Sequence, residues 1–192
     1  MLLLAYHTTN SQSHMGFEEF CYTGQPLASA LVSRAWYQGD DKWYGEVRYN
    51  YEEVQTLSLY GGKTFSRKED LSWSFTPFAG LVMGKLKGGS GGVNLSLEYK
   101  KLIFSSTSQY TFSAEDRYCN FFFSWSELGC QVSEGFYAGL AMQQTRLYKT
   151  AVKWEPGIQL GFSFKKWTIP FYIFNPTSNK KYFVSGVTRS ID

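Results

Sequence analysis

Along KWYGEVRYNYEE, Lys42 to Glu53, the residues Trp43, Gly45, Val47, Tyr49 and Tyr51 share one parity, and Tyr44, Glu46, Arg48, Asn50 and Glu52 share the other. Successive side chains of a strand point to opposite faces, so the stretch predicts a strand with one apolar, aromatic face and one charged face. The period of two recurs. In Trp154 to Phe164 the residues Trp154, Pro156, Ile158, Leu160, Phe162 and Phe164 alternate with Glu155, Gly157, Gln159, Gly161 and Ser163. Val93, Leu95, Leu97 and Tyr99 alternate with Asn94, Ser96 and Glu98, and Trp73, Phe75, Ala79, Leu81 and Met83 alternate in part with Ser72, Ser74, Thr76 and Gly80. Weaker copies run over Thr56 to Thr64, Leu102 to Phe112, Phe121 to Gly129, Phe136 to Leu147, Trp167 to Phe174 and Tyr182 to Thr188.

Short turn signals separate these runs, the spacing of consecutive antiparallel hairpins. They fall at Gly39 to Asp41, Ser66 to Asp70, Lys87 to Gly92, Lys100-Lys101, Ala114 to Tyr118, Val132 to Gly135, Lys149 to Val152, Lys165-Lys166 and Asn175 to Lys180. Leu27 to Tyr37 suits either a strand or a short helix through Leu27, Leu31 and Ala35. A soluble sheet sets Lys and Glu opposite its aliphatics. Here the second face is mostly Gly, Ser, Thr, Asn and Gln with isolated charges, which suits a wet, crowded lumen. The apolar runs span about nine to eleven residues, the length of a tilted membrane-crossing strand. The expectation is therefore an all-β, antiparallel, up-and-down transmembrane barrel of about twelve strands, with ten or eight as alternatives, and with Gly16 to Tyr22 supplying the strand that makes the number even. Tight turns at Lys100-Lys101, Val132 to Gly135 and Lys165-Lys166 are expected on the periplasmic side.

Composition sharpens this picture. Aromatic residues make up 19% of the chain, Gly numbers 18 and Pro 5, a balance of strands and turns. The net charge of +3 is dispersed, which leaves no footprint for nucleic acid. No run approaches the roughly 18 apolar residues of a transmembrane helix. Leu2 to Leu4 is read as the remnant of a signal whose start is missing or as part of a disordered N-terminus, which divides the chain into residues 1–15 and a single barrel domain over 16–192. Cys21, Cys119 and Cys130 form no CxxC, and His7 and His14 are the only histidines. No metal site and no cofactor are expected.

The words WYGEVRYNYE (Trp43 to Glu52), SLYGGKTF (Ser58 to Phe65), NFFFSWSELG (Asn120 to Gly129), QQTRLY (Gln143 to Tyr148) and FYIFNP (Phe171 to Pro176) resemble uncharacterised outer-membrane β-barrel proteins common in Bacteroidota. The resemblance covers roughly Leu27 to Val187. It implies a bacterial outer-membrane location with lipid and other envelope proteins as partners, and it contributes no catalytic residues. The missing leader suggests a truncated coding sequence, and the ending GVTRSID departs from the terminal aromatic of many such barrels.

Glu46, Arg48, Glu98, Glu127, Gln143, Arg146 and Glu155 are the candidate site, a set of lumen charges expected to converge into a paired network that plugs the barrel or tunes ion passage. Trp43, Tyr51, Tyr99, Trp154, Trp167 and Tyr182 are expected in the aromatic girdles at the two interfaces. GGKT, Gly61 to Thr64, lacks the first glycine of a phosphate loop, since Leu57 stands there. With both histidines ahead of Gly16, a serine nucleophile would have no base in the barrel, so an enzyme is not expected; a membrane-embedded hydrolase or acyltransferase is the weakest reading. The reading is a structural or interaction barrel or a narrow conduit for small solutes. Its alternative is a soluble or secreted calycin-like barrel holding an apolar ligand, which requires the reverse polarity, apolar inside and charged outside.

Overall fold

The computed structural model describes residues 13–24 and 27–191. Its strands are β1 (His14–Gly24), β2 (Leu27–Gln38), β3 (Trp43–Tyr49), β4 (Thr56–Lys63), β5 (Phe65–Arg67), β6 (Leu71–Gly84), β7 (Gly88–Tyr99), β8 (Leu102–Ser113), β9 (Phe121–Ser133), β10 (Phe136–Leu147), β11 (Lys153–Phe164), β12 (Trp167–Phe174) and β13 (Tyr182–Ile191). A 3-10 turn, Arg117–Cys119, precedes β9. Each strand pairs antiparallel with the next except β4 and β5, which both lie against β6, so these two are halves of one strand broken at Thr64. The last strand pairs with the first, from Met15 opposite Ile191 to Thr23 opposite Phe183. The result is a closed barrel of twelve strand positions. Closure leaves no sheet edge, the condition for a strand protein to sit in lipid.

Three segments differ from the sequence expectation. Leu27–Gln38 is wholly strand, because pairing on both sides with β1 and β3 outweighs its helix-compatible spacing. The glycines of Lys87 to Gly92, expected as a loop, extend β7, and the turn shrinks to residues 85–87. Neighbouring rings stand in for the missing side chains: Phe78 covers Gly92 from inside and Phe112 covers Gly89 from outside, each with a ring atom within 2.7 Å of where a Cβ would sit. His14, expected outside the barrel, is the first residue of β1, two residues ahead of the expected domain boundary; His7 and the apolar run Leu2 to Leu4 lie outside the described residues. Cys21, Cys119 and Cys130 are unbridged.

The faces are inside out relative to a soluble protein. Leu57, Leu81, Leu128, Leu140, Ile158 and Phe171 are exposed on the outer wall, whereas Thr56, Ser58, Asn94, Gln109, Thr111 and Gln159 are buried on the inner one. This polarity overturns the calycin-like alternative, which needs an apolar cavity and a charged exterior. Among the described residues, one outward charge lies in mid-strand. Glu19 sits midway along β1 on the lipid side, beside Ser33, whose hydroxyl donates to it at 3.3 Å.

Residues 39–42, 68–70, 100–101, 134–135 and 165–166 turn at one end, together with the first residues of β1 and the last of β13, and the longer loops 50–55, 114–120, 148–152 and 175–181 gather at the other with the short turn 85–87. Lys100 and Lys165 take left-handed backbone angles (φ 55° and 56°), as two-residue hairpins require. Aromatic rings with basic partners stand at both ends: Lys63 over Trp43 at 5.2 Å, Lys100 over Tyr99 at 5.1 Å and Arg189 over Trp167 at 4.9 Å at the short-turn end, and Arg117 over Tyr118 and Lys149 over Tyr148, each at 5.4 Å, at the other. Such pairs keep the charge toward the headgroups while the ring stays in the boundary layer.

Leu128, 47% exposed midway along β9, tests this polarity. Leu128→Arg is expected to cost about 2–4 kcal/mol of folding free energy in bilayers, and Phe164→Arg, beside a turn, no more than about 1 kcal/mol. Urea titration in lipid vesicles measures both.

Candidate functional site in the barrel interior

The inner wall is organised around Arg48, whose side chain is 0% exposed. Alternation in β3 points Tyr44, Glu46 and Arg48 inward together. The Arg48 Nε donates to Glu46, and its Nη1 reaches Glu52 at 3.2 Å and also Gln109 on β8. Its guanidinium carbon stands 4.3, 4.5 and 5.3 Å from the ring centres of Tyr51, Tyr60 and Phe78. Arg34 extends the network through Glu18 at 3.1 Å and Glu46 at 3.0 Å, and donates to the Tyr44 hydroxyl at 3.0 Å. Glu52 also accepts from Tyr60 at 2.7 Å and from Ser58. Buried charges are tolerable because each finds opposite charge and hydrogen bonds within the barrel.

A second group faces this one from β9, β10 and β12. Glu127 is 3% exposed; its Oε1 accepts from the Trp125 indole and, at 2.9 Å, from the Tyr172 hydroxyl. Trp125 packs edge to face on Tyr172 and Phe174, at 5.2 and 4.9 Å between centroids, and Phe174 stacks on Tyr182 at 5.0 Å. Phe20, Val32, Tyr137 and Val184 complete this aromatic core. Toward the long loops a third group forms, in which Gln143 and Asn175 each donate to Glu155 at 3.3 Å and Lys153 meets it at 2.8 Å.

The expected network is therefore divided. Glu46 and Arg48 are joined. Glu127 stands in the aromatic group, and Gln143 and Glu155 form the group near the long loops. Glu98 is half-buried on the inner wall near the Lys100 turn and makes no ion pair among the described residues. Arg146 is not in the lumen. It shares the outward parity of Leu140, is exposed, and donates to the Thr150 carbonyl at 3.1 Å.

Of the expected girdle residues, Trp43, Tyr99, Trp154 and Trp167 are exposed on the outer wall near strand ends. Tyr51 and Tyr182 are inside. Strand β3 stops at Tyr49 and Asn50 takes a left-handed angle (φ 58°), so the alternation lapses and Tyr51 folds inward onto Arg48 and Phe123. Tyr182, 2% exposed, shares the parity of the buried Val184, with Phe183 as the outward neighbour. The candidate site leaves out Glu18, Arg34, Gln109 and Tyr172, and also Tyr44 and Glu52, which stand on the charged face of Lys42 to Glu53. Parity signals existed for Tyr44 and Tyr172, which alternate with outward neighbours in β3 and β12.

Among solved structures the chain is similar to the KdgM porin, with a TM-score of 0.65 and 10% identity over 92% of this chain and 99% of that one. It is also similar to the NanC porin, at 0.63 and 13% identity over 91% and 98%. OccAB4 of Acinetobacter baumannii matches at 0.52 and 11% identity, covering 90% of this chain and 56% of that one. No protein-family model matches the sequence, and no curated protein matches it. At these identities the likeness is one of fold: the chain has the architecture of porin-like outer-membrane barrels.

Removing one partner of a buried pair strands the other. Arg48→Met is expected to cost about 3–5 kcal/mol, and adding Glu46→Gln and Glu52→Gln to restore at least half of the loss. Denaturant titration of the refolded barrels checks both.

Proposed function

We propose that this chain is a bacterial outer-membrane barrel that forms a narrow, non-enzymatic conduit for small solutes, with the short turns in the periplasm. The observation that carries the reading is a closed barrel with an apolar outer wall and a largely hydrophilic inner wall, the arrangement of membrane barrels that pass solutes. The lumen is narrow because Arg48 ties β3 to β8 through Gln109, while Tyr51 meets Phe123 of β9 at 6.0 Å. A Bacteroidota origin, carried by the resemblance of Trp43 to Glu52 and its companion words, is the finer part of this proposal.

One structure of the KdgM porin is described as a complex with disordered oligogalacturonate. That acidic substrate fits this interior poorly. Among the described residues, the five buried carboxylates of Glu18, Glu46, Glu52, Glu127 and Glu155 stand against three cations, the guanidiniums of Arg34 and Arg48 and the Lys153 ammonium that meets Glu155. An interior with surplus negative charge repels anions and concentrates cations. The conduit is accordingly read as passing neutral or cationic small solutes.

Planar-bilayer recording of the purified barrel is expected to show small unit conductance with a reversal potential favouring potassium over chloride. Arg48→Ala, confirmed as folded by heat-dependent gel mobility, is expected to raise that conductance severalfold. If neither protein conducts, the barrel is structural and the conduit reading falls.

A further inference from the structure

The two inner walls hold rings and carboxylates in similar combinations but differ in one respect. Around Arg48 the chain provides its own cation between Glu46, Glu52 and three aromatic faces. Around Glu127 it provides the carboxylate and the rings, yet among the described residues no cation pairs with Glu127, and its Oε2 is buried without a hydrogen-bond partner. An ionised carboxylate desolvated in this way is costly unless it takes up a proton or a cation joins it.

Two further oxygens in the same region are buried and unpartnered. They are the Tyr137 hydroxyl, on a residue 3% exposed, and the Gln159 Oε1, on a residue 1% exposed. The register brings their residues together. Gln159 of β11 lies opposite both Gly139 and Tyr172, and Gly139 lies opposite Gly129, which follows Glu127 on the inward face of β9. The Gln159 amide crosses the bare backbone there, with its Nε2 2.8 Å from the Cβ position of Gly139 and 3.2 Å from that of Gly129. Tyr137 lies across Gly161, the next inward residue of β11 after Gln159, and Tyr172 spans from its place beside Gln159 to Glu127. The absence of side chains at these glycines lets three strands contribute polar groups to one patch, walled by Trp125, Tyr172 and Phe174.

We propose that this patch binds a primary ammonium group of a small organic amine inside the lumen. Such a group carries three N–H donors and one positive charge. The Glu127 Oε2, Tyr137 hydroxyl and Gln159 Oε1 supply three acceptors, Glu127 supplies the countercharge, and the ring faces favour the cation and the alkyl part of the amine. Glu155 and Gln143, nearer the long loops on β11 and β10, lie on the route inward. The inference deepens the conduit reading by naming its solute class, although binding and passage are measured separately.

The test is calorimetric titration of the full-length barrel in detergent with ethylammonium chloride, and with tetramethylammonium chloride as a cation that has no N–H donor. Saturable ethylammonium binding is expected, weakened about tenfold or more by Glu127→Gln and by several-fold in Tyr137→Phe, which deletes one oxygen and keeps the ring. Unchanged affinity in a folded Glu127→Gln barrel overturns the proposal, as does tetramethylammonium binding as tight as ethylammonium. Should Glu127→Gln fail to give heat-modifiable barrel, Tyr137→Phe carries the test, and unchanged affinity there overturns the proposal. Ethylammonium binding without conductance in the bilayer assay removes the conduit and leaves the site; conductance without binding does the reverse.

Discussion

A guanidinium with no exposed surface sits inside the barrel, one residue from the end of β3, and the surrounding interior is arranged to keep it there. Arg48 cannot shed its proton, so its burial has to be matched by negative charge and ring faces within reach. Glu46, two residues back on the same inward face, provides one carboxylate. Glu52 provides the other only because the chain abandons strand geometry at Asn50 and turns inward. Tyr51 comes with it and closes on the guanidinium. One buried cation thus dictates the shape of the loop between β3 and β4 and joins that loop to β8 through Gln109.

The interior therefore has two characters. The side built on β1 to β4 is charged and satisfied largely by the chain itself. The side built on β9 to β13 is aromatic, with the Glu127 carboxylate held by an indole and a phenol and the Glu155 carboxylate nearer the long loops. Rings that in a soluble barrel would fill an apolar core here occupy a lumen whose remaining lining is Thr, Ser, Asn and Gln. This mixture narrows the passage and lets its surplus charge act at short range, where little water remains to screen it.

Much of the architecture was legible because alternation survives wherever a strand touches lipid on one side. Trp154 to Phe164 shows it without a lapse. What escaped has physical causes. In the doublet Glu18-Glu19, composition alone does not say which carboxylate faces inward; the structure buries Glu18 and turns Glu19 outward. Arg34 was hidden by a segment whose spacing also fitted a helix. Glu52 belongs to a turn, where parity has no meaning, and its role arises only when β3, β4 and β8 surround it. Tyr182 was assigned outward from its position near a strand end, a weaker criterion than its shared parity with Val184. Arg146 reads as inward if the polar parity of QQTRLY is taken through it, although Leu140 on the same strand has its parity and faces out.

The seam between β1 and β13 has a consequence in time. Phe17 finds its partner in Arg189 and Phe20 in Gly186, nearly a whole chain length later. During synthesis β1 emerges early with one side paired only to β2, while its other neighbour does not yet exist. Local hairpins can form in order, but the sheet stays open along β1 until the last strand is made, and an open edge is a template for any foreign strand. A protein closed in this way cannot complete its fold as it is translated. It has to travel as an unfinished chain, held apart from its own kind, and become a barrel in a single late step at the membrane.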